Sequence, residues 1–181
     1  MGNKASGELS EQRLRAFLAT VGNRATSPAV LVLLGGSGLS LLGNHRLTLD
    51  IDYDGEESTV DEFRALLEHV AAEMHIELEA VPLHRFIPLP PDADNRHIPV
   101  GRFGNLQVFV FDPYSIALSK LDRGFDSDIE DVVFLLRRGF VEIGALDAMI
   151  TGAADSAAPY DLNLRQMRVH LGLAKAALTG N

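Results

Sequence analysis

Leu33-Leu34-Gly35-Gly36-Ser37-Gly38 is the stretch that decides the fold, and it is followed a short distance later by Asp50-Ile51-Asp52. The apolar run Ala29–Leu34 leads into the glycines, and a short apolar run of this kind is typical of a strand buried on both faces. Glycine breaks the run, and Leu39–Leu42 then predicts a short helix. The stretch therefore predicts a strand, a tight turn and a helix in succession.

Alternation of apolar and polar residues predicts a second strand over Leu47–Tyr53. Successive side chains of a strand point to opposite faces. The apolar face then holds Leu47, Leu49, Ile51 and Tyr53, and the opposite face holds Thr48, Asp50 and Asp52.

The rest of the chain continues this alternation of helices and strands and then becomes wholly helical. We expect a flexible tail over residues 1–8, helices over 10–23 and Val60–Met74, a strand over Ile76–Val81, an irregular segment over 82–105, a strand over Leu106–Phe111, a helix begun by Asp112-Pro113 and running to about Asp122, a helix capped by Ser127 or Asp128, and helices over 143–150 and 161–178. This order predicts an α/β or α+β fold with a C-terminal helical region. We expect residues 1–137 to form the core and residues 138–181 a helical extension of the same unit.

Composition narrows the class of protein. The chain has 181 residues, no cysteine and a formal net charge of −9. A chain of this length forms one domain, or one domain with a small helical appendage, and its lack of cysteine excludes disulfides and thiolate metal sites. No apolar run is long enough to cross a membrane and the first residues lack a secretory h-region, so we expect a cytoplasmic protein with no membrane partner. The negative charge also opposes nucleic-acid binding through the overall field.

The glycine turn has two interpretations. Glycines between a strand and a helix let backbone N–H groups approach a phosphate closely, with Gly35, Gly36 and the Ser37 hydroxyl as its contacts. The alternative is a tight turn without a ligand. The turn is not a P-loop, because it lacks the Gly-Lys-Ser/Thr ending.

Asp50 and Asp52 point to the same face of the second strand, because they are two positions apart. Two carboxylates that close repel each other unless a cation lies between them. Mg²⁺ prefers carboxylate oxygens and keeps positions for substrate phosphates. A solvated strand face is the alternative for an isolated Asp-x-Asp, but the glycine turn just before it favours a metal site that acts on a nucleoside triphosphate (NTP).

The two motifs together resemble the signature of the DNA polymerase β-like nucleotidyltransferases. That signature has a hydrophobic residue and Gly-Gly/Ser, then Asp-hydrophobic-Asp, and the chain matches it with Leu34–Ser37 and Asp50–Tyr53. The wider segment Gly36–Asp52, with Arg46 and Thr48 before the first aspartate, looks more narrowly like the AbiEii-type toxin nucleotidyltransferases and related small bacterial proteins. The resemblance implies a nucleotidyltransferase-fold mixed sheet flanked by helices.

A second match lies downstream. Lys120 and Arg123, followed by Asp128-Ile129-Glu130-Asp131, are similar to a Lys…Arg…Asp-hydrophobic-x-Asp stretch of the same group. The resemblance implies that Lys120 neutralises phosphate charge in the transition state, with Arg123 and Asp128 also at the nucleotide. Asp128 and Asp131 either orient Lys120 or a metal-bound water, or cap a helix start. Arg46 contacts phosphate in one interpretation and forms a surface ion pair in the other.

The family usually has a third carboxylate on the next strand, and here Glu77 and Glu79 are both candidates because they share a face. The implied reaction is Mg²⁺- or Mn²⁺-dependent transfer of a nucleoside monophosphate (NMP) from an NTP to an acceptor hydroxyl on RNA, above all tRNA, on a protein or on a small molecule. The resemblance also implies a toxin–antitoxin role with an antitoxin partner. A non-catalytic nucleotide- or partner-binding protein is the alternative.

The basic residues and the histidines are the remaining candidates for a functional role. A local basic face would offset the acidity of the chain, and its candidate members are Arg85, Arg96, Arg102, Lys120 and Arg123. The scattered histidines have no metal-ligand spacing, and no role is predicted for His45, His69, His75 or His170.

Overall fold

The structure is a computed structural model that describes residues 8–55, 61–155 and 157–180. The chain folds into two units. The first contains the described residues up to Val81 together with Ile98–Phe111, and the second contains Pro82–His97 and the chain from Asp112 onward. The predicted α/β class is confirmed. Most of the predicted N-terminal tail and the first residue of the predicted helix Val60–Met74 lie outside the described residues.

The first unit is built on a mixed five-stranded sheet in the order β3-β2-β1-β5-β4. The strands are β1 (Ala29–Leu33), β2 (Asp50–Tyr53), β3 (Glu77–Ala80), β4 (Ile98–Phe103) and β5 (Leu106–Val110). β1 runs parallel to β5 and antiparallel to β2, and β2 runs parallel to β3. Because β2 and β3 are adjacent and parallel, residues at equal depth in the two strands lie side by side.

Three helices accompany this sheet: α1 (Glu11–Arg24), α2 (Gly35–Leu41) and α3 (Asp61–Glu73). The Ser10 hydroxyl caps α1 by accepting a hydrogen bond from the Arg13 N–H at 3.2 Å, as the sequence predicts for the start of this helix. The apolar stripe of α1, which includes Phe17 and Val21, is fully buried. It packs with Ile51 of β2 and Val108 of β5 into one core.

The second unit contains α4 (Pro113–Arg123), α5 (Asp126–Arg137), α6 (Ile143–Gly152) and α7 (Leu164–Thr179). The predicted start of α4 is confirmed, because the Asp112 carboxylate accepts hydrogen bonds from the N–H groups of Tyr114 and Ser115 and Pro113 occupies the first turn. α4 packs against α5, α6 and α7. The division of the chain at residues 137 and 138 stays a prediction.

The structure corrects the predicted elements in several places. The segment 82–105 is not wholly irregular, because Ile98–Phe103 forms β4 against β5, with a register shift between Pro99 and Gly101. Proline and glycine favour a loop prediction for this segment. β4 tolerates both residues because it is an edge strand with a bulge.

Two apolar faces were also predicted wrongly. β2 begins at Asp50, and the two leucines before it, Leu47 and Leu49, are 46% and 59% exposed instead of buried. Val30 of β1 is 55% exposed, so β1 is not buried on both faces along its whole length. Local sequence patterns do not predict this exposure, because the tertiary fold decides which segment of the chain covers each face.

Three helix starts differ as well. The glycines of Gly35–Leu41 form the first turn of α2 and not a loop before it. α5 starts at Asp126 after an N-cap at Phe125, so neither Ser127 nor Asp128 caps it. α7 starts at Leu164, where the Asn163 side chain accepts a hydrogen bond from the Gln166 N–H at 3.0 Å. No described helix combines the length and apolarity that a bilayer crossing demands.

Candidate functional site

Three carboxylates meet on adjacent strands of the first unit. Asp50 and Asp52 belong to β2 and Glu79 belongs to β3, and one carboxylate oxygen of each lies within 4.8 Å of the others. The register places Asp52 beside Glu79 and Asp50 beside Glu77. Both aspartates are half-buried, whereas Glu79 is exposed. Within the described part of the chain, Glu79 and not Glu77 belongs to this carboxylate cluster.

The donor set of the carboxylate cluster fits a hard divalent cation. All three ligands are carboxylate oxygens, which suit Mg²⁺ and Mn²⁺ better than metals that prefer nitrogen or sulfur. Three negative groups this close disfavour one another unless a cation offsets their charge. The partial exposure of the cluster leaves room for further ligands, as a metal that also binds substrate requires.

Gly35 is the residue that lets Asp52 approach the start of α2. Its φ of +54° lies in the left-handed region, and a Cβ at this position would collide with the Asp52 carboxylate. The Leu34 N–H donates to the Asp52 carbonyl at 2.9 Å, which fixes β2 against this turn. Glycine is therefore needed at position 35, because the backbone and the Asp52 carboxylate approach each other closely there.

Gly36 borders the two residues that precede the first aspartate. A Cβ at Gly36 would lie 3.0 Å from the Thr48 hydroxyl and 3.5 Å from Nη2 of Arg46. The Thr48 hydroxyl in turn donates to Asp50 Oδ1 at 3.3 Å. The structure thus brings together Gly35, Gly36, Arg46, Thr48 and the acids.

Ser37 is placed differently from the expected phosphate contact. It is fully buried, and its hydroxyl donates to the Leu34 carbonyl at 3.1 Å. This hydrogen bond closes the first turn of α2. A phosphate contact from this hydroxyl would require that bond to break, so the contribution of Ser37 in this conformation is to shape the turn.

The downstream motif forms a charge cluster of its own in the second unit. Lys120 Nζ lies 3.2 Å from Asp128 Oδ1 and 2.7 Å from Asp131 Oδ2, and all three side chains are at most 4% exposed. Arg123 donates to both oxygens of Asp128, at 3.2 and 2.6 Å, while its own side chain is 55% exposed. Two cations and two anions thus balance. Both aspartates pair with Lys120, as expected if they orient it.

Asp128 owes its ionised state to these partners. Burial raises the pKa of Asp128, but the hydrogen bond from Arg123 and the charges of Lys120 and Arg123 outweigh it, so the pKa is lowered overall. On the same helix as Lys120, burial raises the pKa of Asp122 above its ordinary value. The pKa values of these two acids are therefore shifted in opposite directions.

The predicted basic face is only partly accessible. Arg96 forms a two-pronged ion pair with the fully buried Asp112, with both N···O distances at 2.8 Å, and it also lies over the Tyr114 ring. Hydrogen bonding to Asp112 raises the pKa of Arg96. Arg96 and Lys120 are thus held by buried aspartates, and Arg102 donates from Nε to the Gly104 carbonyl.

His170 is a residue that sequence reasoning missed. Its ring is 8% exposed, Nδ1 is hydrogen-bonded to the Leu121 carbonyl of α4, and Nε2 lies 3.0 Å from the Gln166 amide nitrogen. Gly124 ends α4 at a φ of +68°, and the His170 ring occupies the space that a Cβ at this position would fill. His170 and Leu121 are 49 positions apart in the sequence, beyond the reach of a local pattern.

A family model for nucleotidyltransferases of unknown function (DUF6036) matches residues 12–171 of the chain. The match spans most of the sequence, so the chain belongs to this family. Searches of curated proteins and of solved structures returned no match. Membership supports the predicted nucleotidyltransferase superfamily, whose general reaction is the transfer of an NMP group.

Proposed function

We propose that this protein transfers an NMP from an NTP to an acceptor hydroxyl with the help of Mg²⁺ or Mn²⁺ bound by Asp50, Asp52 and Glu79. The observation that carries the proposal is the meeting of these three carboxylates, within 4.8 Å of one another, in a chain of a nucleotidyltransferase family. The bound cations would offset charge on the triphosphate and lower the pKa of the acceptor hydroxyl.

The chemistry is an in-line displacement at the α-phosphorus. The acceptor oxygen forms a bond to phosphorus, the bond from phosphorus to the bridging oxygen of pyrophosphate breaks, and pyrophosphate leaves with that electron pair. The acceptor proton passes to a base, for which the exposed carboxylate Glu79 is our candidate. Because such a transfer needs positioning and charge neutralisation above all, rigid placement of the acids on β2 and β3 is what the fold contributes.

Glu79 is our choice for the third acid, with Glu77 as the matched comparison. Both glutamates lie on β3 and both are exposed, but only Glu79 belongs to the carboxylate cluster. The variants Glu79→Gln and Glu77→Gln change the same chemical group two residues apart. We expect the first to lose NMP transfer and the second to retain it.

The nucleotide contacts extend this proposal. The backbone at Gly35 and Gly36 and the side chains of Arg46 and Thr48 surround the approach to the aspartates, and we assign them to the triphosphate. Lys120 and Arg123 keep the role that the family resemblance implies, which is to offset phosphate charge. Of these two, Arg123 has the more accessible side chain.

The test is incubation with each α-³²P-labelled NTP, Mg²⁺, total RNA and cell lysate, for the wild type, Asp50→Asn, Asp52→Asn and the two glutamine variants. Label that moves to RNA, protein or a small molecule with the wild type, but not with the aspartate variants, supports the proposal and identifies the acceptor class. Equal labelling by the wild type and both aspartate variants would overturn the assignment of the site.

Calorimetry separates the remaining alternative. Metal-dependent NTP binding without label transfer to any acceptor would support a non-catalytic nucleotide-binding protein. Absence of both binding and transfer would leave only the fold.

The toxin role and the narrower AbiEii-type kinship belong to this proposal as well. They rest on the motif around Arg46 and Thr48, and they imply a tRNA acceptor and an antitoxin partner. Growth arrest on expression, relieved by Asp50→Ala, would support them. Normal growth with an active enzyme would point to a different acceptor.

A further inference from the structure

We propose that His170 is a positioning residue that holds the end of α4, and through it Lys120 and Arg123, in the geometry the reaction uses. The inference rests on the proposed function for its kinetic consequences, because it assigns Lys120 and Arg123 to the NTP phosphates. The contact itself is independent of that function.

The His170 ring is hydrogen-bonded to the backbone of Leu121. A carbonyl oxygen only accepts, so Nδ1 of His170 carries the proton and donates to Leu121 O. Leu121 lies in the last turn of α4, where carbonyl groups lack partners within the helix. His170 supplies one from α7 and thereby ties the two helices together at this point.

Gly124 lies directly beside the imidazole ring of His170. Gly124 follows α4 in the left-handed region, and its N–H donates to the Lys120 carbonyl at 2.8 Å. A Cβ at Gly124 would collide with the imidazole ring of His170. The ring therefore packs directly against the backbone of the turn, which restricts its conformation from the side as well as through Leu121.

The turn after α4 positions the two cations of the charge cluster. Lys120 and Arg123 lie on either side of Leu121, and both pair with Asp128 at the start of α5. The direction of the chain between α4 and α5 decides whether one aspartate can meet both cations. Because His170 contacts this turn at Leu121 and at Gly124, its removal lets the cations and Asp128 shift relative to one another.

Gln166 completes the arrangement. It lies one turn before His170 on α7, with its amide nitrogen 3.0 Å from Nε2. With Nδ1 protonated, a neutral ring accepts at Nε2, so this amide group donates there. Gln166 thus favours the tautomer that donates to Leu121.

The experiment compares His170→Asn with His170→Gln in the full chain. An asparagine amide reaches the position of Nδ1 and can still donate to Leu121 O, whereas a glutamine amide reaches the position of Nε2 and cannot. We expect His170→Asn to keep the wild-type KM for the NTP. We expect His170→Gln to raise that KM by up to about fivefold, because the net value of one lost hydrogen bond limits how much NTP binding can weaken, with a smaller change in kcat.

A second readout does not depend on activity. The ¹⁵N signals of the wild-type imidazole should report a protonated Nδ1, and the Arg123 Nε–H signal should exchange slowly in the wild type and in His170→Asn but rapidly in His170→Gln. If the two variants behave alike in both readouts, or if the proton resides on Nε2, the positioning role is wrong. If the wild type transfers no NMP while the NMR differences appear, the proposed function fails and the structural role of His170 stands.

Discussion

The carboxylate cluster of the first unit and the charge cluster of the second use the same residue types in opposite ways. Asp50, Asp52 and Glu79 gather negative charge at a partly exposed position. Asp128 and Asp131 are buried and meet two cations within 3.2 Å. Gathered exposed carboxylates suit the binding of an external cation, whereas the aspartates of the charge cluster already meet cations of the chain itself. Sequence spacing does not distinguish the aspartates of the carboxylate cluster from those of the charge cluster, whereas burial and charge balance do.

The largest expected effect is a loss of stability when a cation is removed from the charge cluster. Lys120→Met removes the cation that both buried aspartates share and leaves their charge poorly compensated, so we expect the free energy of unfolding to fall by about 3–5 kcal/mol. Chemical denaturation measures it.

Arg123→Gln is the control, because the Arg123 side chain is 55% exposed and its loss should cost the unfolding free energy far less. A loss for Lys120→Met no larger than for Arg123→Gln would show that burial does not make the charge cluster structural.

The reverse pattern is expected for the carboxylate cluster. Asp52→Asn should lower NMP transfer by about a hundredfold to a thousandfold, the usual effect of removing one group that offsets transition-state charge. It should not lower the unfolding free energy in the absence of metal, because it removes one of three carboxylate charges that disfavour one another.

Single-turnover assays and denaturation of the same variant check both statements. A large loss of stability in Asp52→Asn without metal would mean that this cluster is structural too, and the contrast between the two units would disappear.

Gly35→Ala is a backbone test of the same site. The substitution forces an L side chain to a φ of +54° and into the Asp52 carboxylate, so we expect a cost of about 1–3 kcal/mol and weaker Mg²⁺ binding by calorimetry.

Gly172→Ala makes the same chemical change inside α7, where a Cβ meets no atom within 4 Å. We expect it to raise stability by up to about 1 kcal/mol. Equal effects of the two substitutions would contradict a special role for Gly35.

The smallest effects concern pH. The pKa of Asp128 is lowered by Arg123 and Lys120, so its contribution to stability is present above the pKa of the unfolded carboxyl and is lost as pH falls through the folded value. The pKa of Asp122 is raised by burial, so its charged form destabilises the fold at neutral pH, and that cost disappears as pH falls through its raised pKa.

We therefore expect Asp128→Asn to destabilise and to flatten the acid side of the stability profile, and Asp122→Asn to stabilise slightly at neutral pH. Thermal melts across the acid range measure both. Shifts of the same sign would contradict the assigned causes.

Helix starts and the shared face of two aspartates were predictable because each depends on local rules. Ser10 caps α1, Asp112-Pro113 begins α4, and Asp50 and Asp52 share one face of β2, all as expected. β4 was not predictable, because an edge strand containing proline and glycine has the composition of a loop and is formed only by its pairing with β5. The exposure of Leu47 and Leu49 was missed for a related reason, since alternation assigns a face without saying what covers it.

The candidate site divides in the same way. Periodicity placed Glu77 and Glu79 on one face and left both open as the third acid. The parallel register of β2 and β3 brings Glu79 into the carboxylate cluster. The burial of Ser37 and Lys120 could not be foreseen, because it depends on packing and on ion-pair partners that spacing alone does not assign.

The sequence by itself determined the succession of a strand and a helix around Gly35, the carboxylate pair of β2 and the resemblance to nucleotidyltransferases, because backbone propensity and two-residue periodicity act over a few neighbouring positions. Only the tertiary structure decided which glutamate joins the aspartates, which cations are buried, and that His170 meets the end of α4. Those outcomes depend on strand register and helix packing, which bring together residues that are distant along the chain.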